Sequence, residues 1–437
     1  MQLTLDRWRS GRHGAQSSES VSGNKDFQLV FAAALASKLG TQVSYIALPL
    51  LAVLTMNASA GEVGLLNVLS TAAFLLIGLP AGAWVDRLDK RRVLVTADLA
   101  RAVLFGSVPI AWSLHMLTIG QLYLVVALAG VATVFFDVSA QSFLPHLVGR
   151  ENLVAANTKL ASIDAVNMIG GRSVGGFLVQ LLTAPLAVAF NAATFTWSAI
   201  CLSRIRKRGG SRTSARSGAG LWREVGEGIR FVSGHPLLRP IAMTGVLNNL
   251  SVQISVVILP VLLTQDLGFS AASVGLFMAL GGGGVLLGTT AARRLGTWLG
   301  YGRVMWLVGL ATVPVKLFIP FLNHGLLGWL AAFGWLLTTA QVGVNNVLQV
   351  SLRQRVTPDR LLGRMNATMR FLLFGSLTVG AGVAGLVGQF VGARAALTVG
   401  VAGLILVWLP PFLSPLRTLR ELPEQAVSET STERTSR

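Results

Sequence analysis

Apolar residues run along the chain in twelve stretches, each about 20 residues or longer and each bounded by a short polar connection. Their cores fall at 28–55, 63–85, 93–114, 119–141, 156–181, 185–203, 239–263, 272–292, 303–322, 325–347, 365–390 and 395–413. A helix rises 1.5 Å per residue, so about 20 apolar residues cross the hydrocarbon layer of a bilayer. The pattern predicts an all-α integral membrane protein with twelve transmembrane helices.

The connections alternate in charge. Those at 86–92, 146–159, 204–230, 293–303 and 353–364 carry several Lys or Arg each. Those at 56–61, 115–120, 182–185, 265–270, 323–325 and 391–393 carry almost none, with Arg394 at the margin of the last. Basic loops stay on the cytoplasmic side, which predicts that both termini are cytoplasmic. A miscounted span would break the alternation.

Composition agrees. The chain is 52% hydrophobic and 12% charged, against about 25% charged in soluble proteins. A net charge of +18 would suit nucleic acid, but the cations cluster where topology requires them and no recognition motif accompanies them, so no nucleic-acid partner is expected. Cys201 is the only cysteine, which excludes a disulfide framework and a zinc set. His115, His146, His235 and His324 lie near loop ends without ligand spacing, so no metal and no cofactor are expected. Residues 1–26 are polar and basic, with Arg7, Arg9 and Arg12, and lack an apolar leader segment; they read as a cytoplasmic tail. Residues 417–437, rich in Ser, Thr and Glu, read as a disordered cytoplasmic tail.

The longest connection suggests a linker at 204–238 between a half at 27–203 and a half at 239–416. Leu153, Asn157, Gly171, Gly176 and Gln180 recur at constant offset as Leu362, Asn366, Gly380, Gly385 and Gln389. With an offset one residue shorter, Thr133, Asp137 and Gln141 match Gln341, Asn345 and Gln349. Parallel six-span repeats are a known transporter plan with a mid-membrane binding site. Each triplet has i, i+4, i+8 spacing and forms a stripe on its helix. Thr41, Gln42 and Tyr45 on span one and Asn248, Asn249 and Gln253 on span seven add similar groups. Such groups avoid lipid. They serve either as packing hydrogen bonds or, as the ensemble on spans one, four, seven and ten suggests, as the lining of a water-filled cavity.

The segment at 82–92, GAWVDRLDKRR, with Gly82, Asp86, Arg87 and Arg91, closely resembles the signature between spans two and three of the major facilitator superfamily. Asp89 stands where many members have Gly. The stretches SFLP at 142–145, Ala156-Asn157, VGGF at 174–177 and RQRVTPDRLLGR at 353–364 resemble the drug- and siderophore-exporting branch that includes macrolide efflux proteins. The resemblance spans about 27–415 and implies the twelve-helix, two-half fold, a central cavity lined by spans one, four, seven and ten, and a working monomer. It also implies a cytoplasmic latch of Asp86, Arg87 and Arg91, with Asp86 facing the start of span eleven. GRSVGG at 171–176 resembles the exporter signature of span five, but Arg172 replaces its usual proline.

Ionisable groups inside a membrane are functional candidates by default. Asp137 and Asp164 lie deepest among the acids, and Lys38, Arg172 and Lys316 are the cations expected in the membrane. Lys38 and Asp137 fall at similar depth at helical rise, which predicts that they pair. Arg172 could hold an anionic substrate group or anchor span five, and Lys316 is expected to snorkel. A carboxylate that alternates between desolvation and a nearby cation could take up and release a proton. Together these readings lead to a secondary active transporter: a proton-coupled exporter of an amphipathic small molecule, antibiotic or siderophore, set among the lipids of a bacterial inner membrane. A facilitator, importer or lipid flippase would use the same scaffold. No nucleophile–base set or nucleotide loop supports a membrane enzyme, and the polar cavity argues against a pure receptor.

Overall fold

The structure is a computed structural model and describes residues 24–85, 87–149, 152–205 and 221–421. Twelve membrane-crossing segments follow in order. The first six are Lys25–Leu50, Ala60–Val85, Lys90–Ser113, Ile119–Val148, Leu153–Leu182 and Ala184–Ser203. The second six are Leu238–Val261, Ala271–Leu299, Tyr301–Phe321, Leu326–Val356, Asp359–Phe390 and Ala393–Phe412. Eleven of the described helices are long and apolar enough to cross a membrane by composition alone. The remaining one, span five, has 30 residues, enough for roughly 45 Å, but Lys159, Asp164 and Arg172 lower its hydropathy.

Local sequence sets the helix starts. Asn24 caps span one by accepting from the Asp26 and Phe27 amides, and Thr118 caps span four. Ser59 and Glu62 bond reciprocally in a capping box at the start of span two. Asp89, the departure from the superfamily pattern, caps span three by accepting from the Arg91 and Arg92 amides at 3.0 and 3.2 Å. A carboxylate suits that end of the helix.

The helices form two six-span halves. Span one packs on five and six, as span seven packs on eleven and twelve, and span two packs on four as eight packs on ten. Spans one and seven each end in a π-helical turn, Leu51–Thr55 and Leu262–Asp266, two residues beyond Pro49 and Pro260. The repeat breaks down at span nine, which is interrupted at Thr312 and again after Lys316.

Glycines let the halves meet. A Cβ on Gly176 would lie 2.6 Å from the Gly275 Cα, and one on Gly64 would lie 2.4 Å from the Gly385 Cα. Spans five and eight, and spans two and eleven, therefore cross backbone to backbone. Along the second seam the Gln389 side chain accepts from the Gly61 amide, Thr378 donates to Thr71, and Phe74 stacks on Phe374 at 4.6 Å. These contacts begin at the end carrying the charge-poor connections, where Gln265 also donates to the Ala58 carbonyl. The buried core joins both halves toward the charge-poor connections and divides into separate clusters, one in each half, toward the basic ones. The bundle is closed at the charge-poor end and splayed at the other.

A fourteen-residue helix, Leu221–Gly234, precedes span seven. Gly228 lets it lie against Thr368 and the Arg364 carbonyl of span eleven, and Glu227 pairs with Arg364 at 2.5 Å.

Candidate functional site

Spans one to four line a partly open cavity of about 270 Å³, with Thr41, Tyr45, Asn67, Phe74, Phe105 and Thr133 among its walls. Spans one and four of the four expected to line a cavity contribute to this one, and none of its described lining residues lies on span seven or ten. Their polar groups are used elsewhere. Asn249 donates to the Leu373 carbonyl at 3.3 Å, and the buried Gln253 packs where Gly380 leaves room.

The stripe on span ten also divides. Gln341 is buried and its Oε1 accepts from Thr312 at 3.0 Å and from Lys316 at 2.6 Å, both on span nine. Asn345 is buried with no hydrogen bond among the described residues. Gln349 turns toward Gly245 on span seven. Residues at i, i+4 and i+8 drift about 40° per step around a helix, so one end of the stripe meets span nine and the other span seven. On span four, Thr133 donates to the Ala129 carbonyl, Asp137 is half-buried and Gln141 is exposed.

Charges concentrate in the first half. Lys38 forms an ion pair with Asp164 of span five, not with Asp137 as depth alone suggested. Depth gives height along a helix but not azimuth, and span one packs directly on span five. Asp137 instead lies within electrostatic reach of Arg101, Lys38 and Arg370, with Asp164 opposing them. Asp98 and Arg101 form a buried ion pair on span three, and the Arg101 guanidinium stands over the rings of Phe136 and Phe195 at 4.4 and 4.3 Å. Arg370 of span eleven stands over Phe74 and Phe374.

Arg101 and Arg370 were missed as intramembrane cations. Both lie inside predicted spans, at 93–114 and 365–390, and the i, i+3 spacing of Asp98 and Arg101 was a further readable signal for the first. Lys316 is also corrected. It does not snorkel but is fully buried, with its Nζ donating to Gln341 and to the Leu404 carbonyl at 3.0 Å. Span twelve breaks just beyond Leu404, and the lysine satisfies a carbonyl there.

Arg172 donates from Nε to Gln42 Oε1 at 3.2 Å, and its guanidinium stands 4.9 Å from the Tyr45 ring centroid. Asp86 lies outside the described residues. Gly82 lies in the last turn of span two, Arg87 is exposed, and Arg91 donates to the Leu202 and Ser203 carbonyls at the end of span six. In this conformation Arg91 serves its own half and does not reach span eleven.

Comparison with known proteins settles the family. The profile of the major facilitator family described as transmembrane secretion effector matches residues 20–434. The chain belongs to that family. The multidrug efflux pump Tap of Mycolicibacterium fortuitum is 27% identical over 409 residues, covering 90% of this chain and 96% of Tap. The enterobactin exporter EntS of Escherichia coli O1:K1 / APEC is 28% identical over 418 residues, covering 93% and 96%. Among solved structures, a bacterial homologue of the iron transporter ferroportin in an inward-facing state matches with a TM-score of 0.72 at 19% identity, covering 89% of this chain and 98% of that one. The nucleoside transporter NupG matches with a TM-score of 0.71 at 13% identity, covering 89% and 98%. The structural matches carry the fold alone. Family membership makes the chain a multi-pass membrane transporter of small molecules and not an enzyme.

Proposed function

We propose that this protein is a proton-coupled exporter of an amphipathic small molecule, antibiotic or siderophore, working as a monomer in a bacterial inner membrane with both termini in the cytoplasm. The names of Tap and EntS support the export of such compounds. The observation that carries the mechanism is the placement of Asp137, half-buried on span four among Arg101, Lys38 and Arg370. A carboxylate held by cations in one conformation and desolvated in another changes its proton affinity between them. With the basic connections assigned to the cytoplasm, the described conformation opens inward and is sealed outside by the glycine seams.

Export then alternates two gates. The π-helical turns of spans one and seven lie at the sealed end, and such turns are frequent at functional sites. Inner closure would bring the 82–92 segment, with Asp86, Arg87 and Arg91, to the start of span eleven, where a carboxylate favours a helix N-terminus.

Inverted vesicles containing the protein test this reading. A pH gradient, acid inside, should drive accumulation of a labelled antibiotic or siderophore, and Asp137→Asn should abolish it. Accumulation that persists after the gradient is collapsed would make the protein a facilitator or assign it another driving ion.

A further inference from the structure

Four cations and three carboxylates occupy the interior of the first half and its seam with the second: Lys38, Arg101, Arg172 and Arg370 against Asp98, Asp137 and Asp164. Lys38 is matched by Asp164 and Arg101 by Asp98, while Arg370 shares the field of Asp137. Arg172 is the one left without a carboxylate among the described residues. A cation inside the membrane region without an anion is costly, and the protein supplies none here.

The surroundings of Arg172 suit a ligand. Gly171 and Gly175 press span five against Gln42 and Val43 of span one, which fixes where the side chain emerges. Its Nε is committed to Gln42 and its plane lies against Tyr45. Its two terminal amino groups make no hydrogen bond among the described residues, so the fork that grips a carboxylate remains available. Tyr45 lines the 270 Å³ cavity, whose walls there include Leu48, Leu66, Phe74, Phe105 and Val126. Lys316, another cation in the spans without an acid among the described residues, makes a useful contrast. Its amine is consumed by two acceptors and is fully buried, so no ligand can reach it.

We infer that the transported molecule is an amphipathic anion whose carboxylate, or similar planar oxyanion, sits on Arg172 and whose aromatic or apolar body fills the cavity beside Tyr45. This deepens the exporter reading and rests on it. Arg172 lies about ten residues from the charge-poor end of span five, and Asp137 about eighteen from that end of span four. At helical rise the two differ in depth by roughly 12 Å. The anion and the exchangeable proton therefore occupy separate places.

Two dyes on one xanthene skeleton test the inference: anionic fluorescein and cationic rhodamine 123, each titrated against the purified protein in lipid nanodiscs by fluorescence anisotropy. Fluorescein should bind about tenfold or more tightly than rhodamine 123. Arg172→Gln should weaken fluorescein about tenfold without weakening rhodamine 123. Arg172→Lys, which keeps charge but loses the planar fork, should fall between, and it decides the matter if the Gln variant does not fold. Rhodamine 123 binding as tightly as fluorescein, or fluorescein affinity indifferent to both substitutions, overturns the anion site. Arg172-dependent fluorescein binding, with neither the dye nor the labelled antibiotics and siderophores accumulating in energised inverted vesicles, would instead remove the exporter reading and leave the anion site in place.

Discussion

The two halves solve the same packing problem and differ in chemistry. Gly176 against Gly275 and Gly385 against Gly64 are repeats of one device, and each half closes on the other by backbone contact. Yet the carboxylates inside the bundle all belong to the first half. Asp137 stands among cations, while Asn345, its counterpart, is neutral and has no hydrogen bond among the described residues. Where the first half places the Asp98–Arg101 pair, the second relies on Lys316, an amide and a carbonyl. A transporter needs both halves for alternating closure but only one for charge movement, and the repeat has kept the first property and let the second diverge.

The seams give the sharpest way to break that comparison. Gly176→Val and Gly385→Val each drive a side chain into facing backbone or main-chain glycine, and both should reduce vesicle transport to background. If only one does, the seams are not equivalent. Maleimide labelling of a cysteine introduced at Ala58, buried at the sealed end, should rise in both variants. The native Cys201 is buried and leaves the assay clear.

Next in size is the charge asymmetry. Asp98→Asn strands a buried guanidinium and should cost about 3–5 kcal/mol, read as a fall in Tm; Asp98→Asn with Arg101→Met should recover most of it. Lys316→Met strands no charge and should cost about 1 kcal/mol. Equal losses from the two single variants would show that the halves carry their buried charges alike.

Backbone strain offers a finer test. Spans six and twelve are entered through Thr183 and Gly392, at φ of 112° and 110°. Only glycine adopts that region freely, so Thr183→Gly should raise Tm, corresponding to about 1 kcal/mol, and Gly392→Thr should lower it by about 1–3 kcal/mol.

The smallest effect concerns pH at the entry to span seven. His235 Nδ1 accepts from the Leu237 and Leu238 amides at 3.2 and 3.3 Å, and burial lowers its proton affinity. The neutral ring is the one that caps. Its contribution is present above the ordinary histidine value of about 6.5 and is lost as pH falls through the lowered value, so Tm should drop on acidification by less in His235→Asn than in the parent.

Much of this architecture was legible in the amino-acid order. Hydropathy places the spans because lipid cannot satisfy a polar backbone. Span five was counted from its apolar stretch at 156–181 despite its charges, and its glycines repeat in span eleven. Repeated Gly176 and Gly385 announced close packing before any contact was seen, since a missing side chain means the same thing wherever it sits.

Partner choice was not legible. The sequence by itself determined which residues lie at what depth, because helical rise converts residue number into height. Only the tertiary structure decided azimuth: that Lys38 turns to Asp164, that Gln341 turns away from the cavity to Lys316, and that Arg370 of span eleven reaches Phe74 of span two. Rotation about a helix axis accumulates 100° per residue, and small changes in crossing angle redirect long side chains. A pairing between helices therefore depends on packing that no single helix contains.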